Sequence, residues 1–261
     1  MVYKRVILKR GKEESLKRFH PWVFSGAIAR MDNIEEGDLV TVYDHEGNLI
    51  GNGHYQIGSI AVRILTFDDT EIDSAFFVKR LTEAYKMRQA LGLSRPDNNA
   101  FRLVHGEGDF LPGLVVDIYG STAVMQAHSP GMHFARNLIA DALTQLPNGV
   151  VKNVYYKSET TLPYKAQLDP QNEYIVGAYD TDVAMENGLK FHVDWLRGQK
   201  TGFFVDQREN RSLLEHYATG RKVLNMFCYT GGFSFYALRG GAELVHSVDS
   251  SAKAISLTDA N

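Results

Sequence analysis

KVLNMFCYTGGFSFYALRGGAELVHSVDSS, residues 222–251, is the stretch whose reading decides the fold. KVLNMF (222–227) has the apolar density of a buried strand, and it runs into a glycine turn, CYTGG (228–232). FSFYALRGG (233–241) is helical in composition and stops on glycines. LVHSVDSS (244–251) is a second apolar strand that ends on an acid, and SAKAISLTDAN opens another helix. The order strand, glycine turn, helix, strand, acid points to an α/β unit with an adenosine-type ligand. Gly231 and Gly232 let the backbone approach that ligand, and Asp249, eighteen positions after Gly231, accepts the hydroxyls of a ribose.

Two phosphate-binding readings are excluded by spacing. A dinucleotide fold needs G-x-G-x-x-G so that helix N-terminal amides meet a pyrophosphate, and Cys228-Tyr229-Thr230-Gly231-Gly232-Phe233 lacks it. A P-loop needs G-x-x-x-x-G-K-[ST], which occurs nowhere in the chain. S-adenosylmethionine has no phosphate, so it tolerates a polar loop with fewer glycines. On the loop alone, a glycine turn in any α/β domain stays open.

Outward from this stretch, the chain changes pattern three times. Residues 1–72 read as a small β-barrel. Its strands are VILK (6–9), DLVTVYD (38–44), LIGNGHY (49–55) and IAVRILTF (60–67), with turns at EEGD (35–38) and DHEGN (44–48). Residues 73–99 form a linker helix, capped by Asp73 or Ser74, with Phe76, Phe77, Leu81, Ala84, Tyr85, Arg88 and Leu91 on its apolar face. Residues 100–183 read as an α+β domain of two strands, a helix over 132–146, and two strands. From 184 a hairpin, AMENGLKFHVDW, leads through TGFFVDQRENRSLLEHYA into the decisive stretch. The expected fold class is therefore α+β and α/β, multidomain.

Composition narrows the function classes. The content is 44% hydrophobic and 23% charged with a net charge of −3, which argues against binding polyanions over the whole surface. Charge is segregated, however: Lys4, Arg5, Lys9, Arg10, Lys12, Lys17 and Arg18 face only Glu13 and Glu14 within the first twenty residues, a candidate RNA-contact surface. Trp22, Phe24 and Tyr55 are either base-stacking residues or barrel core. No apolar run approaches the roughly 20 residues of a membrane span, and the basic start is not a signal peptide. Cys228 is the sole cysteine, which fits a cytoplasmic protein without disulfides or a cysteine zinc site. The histidines show no metal-ligand spacing, and the His105–Gly113 segment reads as a glycine turn.

KTGFFVDQRENR (200–211), VLNMFCYTGGFS (223–234) and VDSS (248–251) resemble the class I RNA 5-methylcytosine methyltransferases of the large-subunit ribosomal RNA type. HPWVFSGAI (20–28) resembles the start of their PUA domain, an RNA-binding barrel. The resemblance covers essentially the whole chain. It implies a PUA-like barrel, a central α+β domain and a C-terminal, partial Rossmann-like methyltransferase domain from 184. It implies S-adenosyl-L-methionine as cofactor, RNA, ribosomal in this family, as partner, no membrane partner, and a homodimer as one assembly to test. By the same resemblance Phe203, Gln207 and Arg208 close over the cofactor, with Arg208 a candidate for its carboxylate. Asn225, Phe227, Tyr229, Thr230 and Gly231 form the loop beside the methionine moiety, Asp249 takes the ribose, and Ser250 lies beside the adenine. Asn225 stands where the wider superfamily commonly has an acid.

Methylation at C5 of a pyrimidine needs a cysteine thiolate at C6. In the family that cysteine, and an Asp-Pro-Pro segment, lie well downstream of the acid matched by Asp249, and the resemblance makes Cys228 a loop residue. The expectation is a chain that carries the cofactor half without its chemistry, truncated at the C-terminus and inactive alone, with an open sheet edge and an uncovered apolar face. Competing readings are a non-catalytic RNA-binding adaptor, which needs no Asp249, and a methyltransferase of small molecules or proteins.

Overall fold

Val6 and Leu8 alternate with half-buried or exposed neighbours, and Val40 and Val42 flank polar Thr41, the period-2 pattern of a sheet, whereas Ala61, Val62, Ile64 and Leu65 are buried on both faces. The computed structural model describes residues 3–163, 166–181 and 183–261. Strands β1 (Lys4–Leu8), β2 (Trp22–Phe24), β3 (Ile28–Met31), β4 (Leu39–Tyr43), β5 (Leu49–Tyr55) and β6 (Ile60–Thr66) form one sheet in the order β2-β6-β5-β4-β1-β3. β1 and β4 are parallel; the other pairings are antiparallel. The edge strands β2 and β3 are joined by only one 3₁₀ turn, Ser25–Ala27, so the sheet must curl until its edges approach, giving an incomplete barrel. The sequence pattern had not separated β2 and β3, which are too short to show a period. Glycine is required where β5 meets β6: a Cβ on Gly53 would lie 2.1 Å from the Arg63 carbonyl oxygen.

The chain then forms helix α1 (Ser74–Ala90). The Asp73 carboxylate caps it by accepting the Phe76 N–H at 2.9 Å. Phe76, Phe77, Leu81, Ala84, Tyr85 and Arg88 are buried as the spacing implied. Leu91 is 65% exposed, because the helix ends before it, ahead of Gly92 at φ +67°. Buried Arg88 makes a bidentate pair with Asp109, which also accepts the His105 N–H. That occupies the His105–Gly113 turn with structure.

A second sheet has the order β11-β10-β9-β8-β7, from β7 (Ala100–His105), β8 (Leu114–Tyr119), β9 (Thr122–Ala127), β10 (Asn153–Tyr156) and β11 (Glu173–Val176). Three strands precede the helical crossover instead of two, because Gly120, at φ +59°, turns the chain between β8 and β9. The single helix read over 132–146 is two, α2 (Pro130–Phe134) and α3 (Arg136–Thr144), with the break at Ala135.

Hairpin strands β12 (Val183–Glu186) and β13 (Leu189–His192) turn on Asn187-Gly188, both at positive φ, the pair a two-residue hairpin loop demands. After α4 (Arg208–Tyr217), strand β14 (Lys222–Met226), helix α5 (Gly232–Arg239), strand β15 (Leu244–Val248) and helix α6 (Ala252–Ala260) complete the elements. β14 and β15 pair in parallel and, among the described residues, are a two-stranded sheet. One face presents Leu224, Met226, Leu244 and Val248 to solvent, from 43% to 61% exposed. The α+β and α/β class expected from the sequence is the class observed. By contacts the chain divides into two units: Met1–Leu91 with Leu103–Asp117 and Ser121–Ala178, and Gly92–Arg102 with Ile118–Gly120 and Tyr179–Asn261.

His54 on β5 is buried, and a Cβ on Gly131 would strike its ring at 2.1 Å. Burial, with the Arg63 charge adding to it, pushes the imidazole down to about 4. Between its ordinary value of 6.5 and about 4 the unfolded chain binds a proton that the folded chain refuses. Stability should therefore fall as pH drops through this window, by about 3 kcal/mol from this group. His54→Gln should flatten the profile of urea midpoint against pH across that window. An unchanged slope in the variant would contradict the assignment.

Candidate functional site

The loop after β14 is built on left-handed residues. Phe227, Tyr229 and Gly231 have φ of 59°, 50° and 77°, conformations that cost a non-glycine residue on the order of 1–2 kcal/mol. The loop is pinned at both ends: the Cys228 N–H donates to the Val248 carbonyl at 3.0 Å, and the Gly231 N–H to the Cys228 carbonyl at 2.9 Å. A Cβ on Gly231 would meet Phe235 at 2.6 Å and Thr258 at 2.8 Å, so only glycine fits.

This winding aims the Tyr229 N–H at Asp249 Oδ2, at 2.9 Å. Asp249 Oδ1 accepts the Ser251 N–H at 2.9 Å. The N–H groups of Ser251 and Tyr229 hold the carboxyl below its usual range, and it remains ionised at neutral pH. Each oxygen keeps a free lone-pair direction, so the group can still accept two donors from a vicinal diol. Ser251 also caps α6 by accepting the Ala254 N–H at 3.2 Å.

A cavity of about 430 Å³ opens beside Asp249, within the usual range for a small-molecule site. Phe227, 86% exposed, lies on one wall. Phe204 and Tyr229 form another, edge to face with centroids 5.2 Å apart. The Tyr229 hydroxyl accepts the Gln199 N–H at 3.2 Å and donates to the Gly202 carbonyl at 3.1 Å, fastening segment 198–202 to the loop. Burial raises the Tyr229 phenol, which keeps it a donor at neutral pH. Lys253 pairs with Asp194 at 2.5 Å. Burial opposes ionisation of Asp194, but the bonds from Lys253 and the Arg197 N–H outweigh it and the carboxyl lies below its ordinary value. Arg197, also on the wall, is exposed, and its charge is one of those that hold Asp194 ionised.

One buried pair holds this wall in place. Arg211 donates to Glu186 through Nε and Nη2, both at 2.7 Å, with side chains 3% and 0% exposed. Arg211 Nη2 also donates to the Phe204 carbonyl at 3.0 Å, and the Tyr236 hydroxyl donates to Glu186 Oε1 at 2.9 Å. Burial, then the Glu186 charge, raises the Tyr236 phenol well above its ordinary value.

Of the residues singled out from the sequence, Phe227, Tyr229 and Asp249 line the cavity, and Gly231 permits the turn. The others lie elsewhere. Phe203 is 4% exposed and packs on Phe191, 5.1 Å between rings, under the Arg211 guanidinium. Gln207 bonds Asp206 and Asn210. Arg208 turns to the Ala100 carbonyl and Glu209. Asn225 donates to Ser234, which meets Ser247 at 2.7 Å. Thr230 is buried, with its carbonyl accepting from Asn261, and Ser250 is exposed outside the lining. Sequence reasoning missed Arg197, Gly198, Gln199, Phe204, Ser251 and Lys253. Their signal was adjacency: Arg197-Gly-Gln199 directly precedes KTGFFVDQRENR, and Ser251 follows the acid.

Among the basic residues near the N-terminus, Lys4 pairs with Asp38 at 2.6 Å and Arg5 approaches Asp32 at 3.6 Å. Lys9 donates to the Gly26 carbonyl, and Arg10, Lys12, Lys17 and Arg18 are exposed. Among the described residues no His, Cys, Asp and Glu group is arranged to hold a metal, and no helix is long and apolar enough to cross a membrane.

Comparison with known proteins matches residues 6–67 to a PUA-like domain and residues 103–259 to an S-adenosylmethionine-dependent methyltransferase family. The ribosomal RNA large subunit methyltransferase I of Alteromonas mediterranea is 42% identical, over 97% of this chain and 64% of that protein. The protein of the same name from Escherichia coli strain SMS-3-5 is 37% identical, over 98% of this chain and 65% of that protein. The chain thus spans just under two thirds of the length of these curated relatives. A solved structure from Streptococcus mutans, described as a SAM-dependent methyltransferase, superposes with a TM-score of 0.80 at 23% identity, over all of this chain and 66% of that one. A methyltransferase solved in complex with SAH gives 0.81 at 23% identity and the same coverage. At this identity the two structures establish the shared fold.

Arg211→Ala would leave the Glu186 carboxylate buried with Tyr236 as its remaining hydrogen-bond donor. The expected loss is about 3–5 kcal/mol of stability, read as a lower denaturant midpoint for the unit that contains Glu186. A midpoint within experimental error of the parent would contradict the role given to this pair.

Proposed function

The chain belongs to the S-adenosylmethionine-dependent methyltransferases, and from that premise we propose that the cavity beside Asp249 holds the cofactor for methylation of large-subunit ribosomal RNA at cytosine C5. The observation that carries the reading is the Asp249 carboxylate, ionised and fixed by two backbone N–H groups, with acceptor capacity left for the two ribose hydroxyls. Phe227 offers an exposed ring for the adenine, and Phe204 and Tyr229 exclude water from the same space. Arg197 takes the carboxylate of the methionine moiety, because it lines the cavity with an exposed side chain while Arg208 is turned to Ala100 and Glu209. Gly231, Asn225 and Thr230 serve the site by shaping the loop and its support. Lys253, held by Asp194, adds positive potential at the mouth.

When bound, S-adenosylmethionine supplies an electrophilic methyl group. The residues around the cavity bind and orient it; none of them is assigned the attack on the base. At C5 that attack requires a cysteine thiolate at C6. Cys228 is a poor nucleophile, being 5% exposed, and burial, relieved only in part by Thr258, pushes its thiol up and disfavours the thiolate. The C5 reading therefore assigns that attack to none of these 261 residues, which span 64% of the Alteromonas mediterranea relative. The PUA-like domain and the exposed cations of residues 9–18 support RNA as the substrate. A single cysteine supports a cytoplasmic location.

Isothermal titration with S-adenosylmethionine tests the site. Asp249→Ala should weaken binding at least about tenfold, the value of one lost charge-assisted bond pair, and should leave RNA affinity unchanged. Cofactor binding by Asp249→Ala equal to that of the parent would refute the ribose assignment.

A further inference from the structure

Strand β2 is an edge strand with its two faces sharply divided. Val23 is 2% exposed and belongs to the apolar cluster of the first sheet, so by strand alternation Trp22 and Phe24 both face outward. Phe24 is 49% exposed, although a core position was available one residue away. The rings of His20, Trp22 and Phe24 form one group: His20 to Trp22 is 5.5 Å, Trp22 to Phe24 is 6.4 Å, and His20 stacks on Phe24 at 6.4 Å and 28°. The Trp22 indole is locked by its Nε1–H donating to Glu107 at 2.8 Å. A cavity of about 350 Å³ opens beside this strand, with Trp22, Val23, Phe24, Leu16 and Ala27 as apolar walls and Lys12 and Ser15 as polar ones; Leu16 and Val23 connect it to the core of the sheet.

Apart from the Glu107 carboxylate on the Trp22 indole, the charges beside this group on residues 9–18 are mostly cations. Lys4 and Arg5 are taken up by Asp38 and Asp32. Arg10, Lys12 and Arg18 are exposed, Lys17 lies beside Asp44 and helps hold its carboxyl below the ordinary value, and of the two acids in this stretch Glu13 is buried. Lys9 is fixed at the rim by the Gly26 carbonyl, 2.9 Å away. An aromatic platform with one adjoining cavity and a row of exposed cations matches an unpaired base on a negatively charged strand. It does not match a duplex, whose bases are stacked away.

We propose that His20, Trp22 and Phe24, with Lys12 at the cavity wall, form a binding site for an unpaired nucleobase of single-stranded RNA, with Lys9, Arg10 and Arg18 on the flanking phosphates. This rests on the RNA reading above and sharpens it: the N-terminal sheet selects an unstacked nucleotide, separately from the site of methylation.

The test is fluorescence anisotropy of the full 261-residue chain with a labelled oligouridylate, a duplex of equal length, and uridine monophosphate as competitor. Phe24→Ala and Phe24→Leu should each weaken single-strand binding roughly 5- to 100-fold with little change in its salt slope, while Phe24→Tyr retains it. Lys12→Ala should lower the slope by about 0.7. The denaturant midpoint of the unit that contains the first sheet, measured in parallel, should be near the parent's in Phe24→Tyr and Lys12→Ala, which separates loss of the site from loss of the fold. Single-strand affinity unchanged in Phe24→Ala, or duplex binding that is equally sensitive to Phe24, overturns the site and leaves the RNA reading standing. Displacement by the monophosphate at comparable concentration also overturns it, because the ligand would then be a free nucleotide. No affinity for any RNA in a chain that binds cofactor overturns both.

Discussion

Glu186 and Arg211 form a bidentate ion pair that scarcely reaches water, and the architecture around the cavity depends on it. Taking both charges out of solvent costs several kcal/mol each, and the pair is tolerable only because its remaining capacity is filled. Tyr236 of α5 donates to the carboxylate, and the Phe204 carbonyl takes the guanidinium. One interaction thus ties together the β12–β13 hairpin, the start of α4, the helix after the loop and the segment that supplies the aromatic wall. Gly232 belongs to the same constraint, since a Cβ there would lie 3.1 Å from Arg211 Cδ. A second glycine after Gly231 is therefore a packing requirement of the ion pair as well as a loop preference.

The loop and its acid depend on that frame in turn. Two non-glycine residues in left-handed conformations are costly, and they persist because the surrounding bonds overdetermine them. What the strain secures is orientation: the Tyr229 N–H meets Asp249, and the phenol at the other end of the same residue secures the backbone at 199 and 202. Tyr229 is therefore a strut between the two walls, which a motif reading registers only as a loop residue. The exposed row Leu224, Met226, Leu244 and Val248 is the other face of the same strands, and it shows that burial here is one-sided.

Much of this was legible in the sequence for local reasons. The Asn187-Gly188 turn, the Asp73 cap and the strand–glycine–helix–strand–acid order each follow from short-range stereochemistry. Strands β2 and β3 escaped notice because they are short and flank a 3₁₀ turn with no strong turn pair such as the Asn187-Gly188 that marks the equally short β12 and β13. The turn at Gly120 and the break at Ala135 were likewise absorbed into longer elements. In the site, Asp249, Phe227 and Tyr229 were within reach because each is fixed by its own loop. The choice between Phe203 and Phe204 was not: adjacent side chains diverge, and which one faces the cavity is set by packing on Phe191 and Arg211, in other elements. Lys253 was missed for a like reason, since its placement depends on Asp194, far away in sequence, whereas Arg197 lay just outside the quoted motif.

A cofactor seated beside Asp249 must touch three stretches of chain at once: 197–204, 227–231 and 249–257. Hydrogen–deuterium exchange with and without S-adenosylmethionine reads all three together. The expected result is slowed exchange in those segments on binding, with residues 3–67 unaffected. Binding accompanied by protection elsewhere, with these segments unchanged, would contradict this placement of the cofactor.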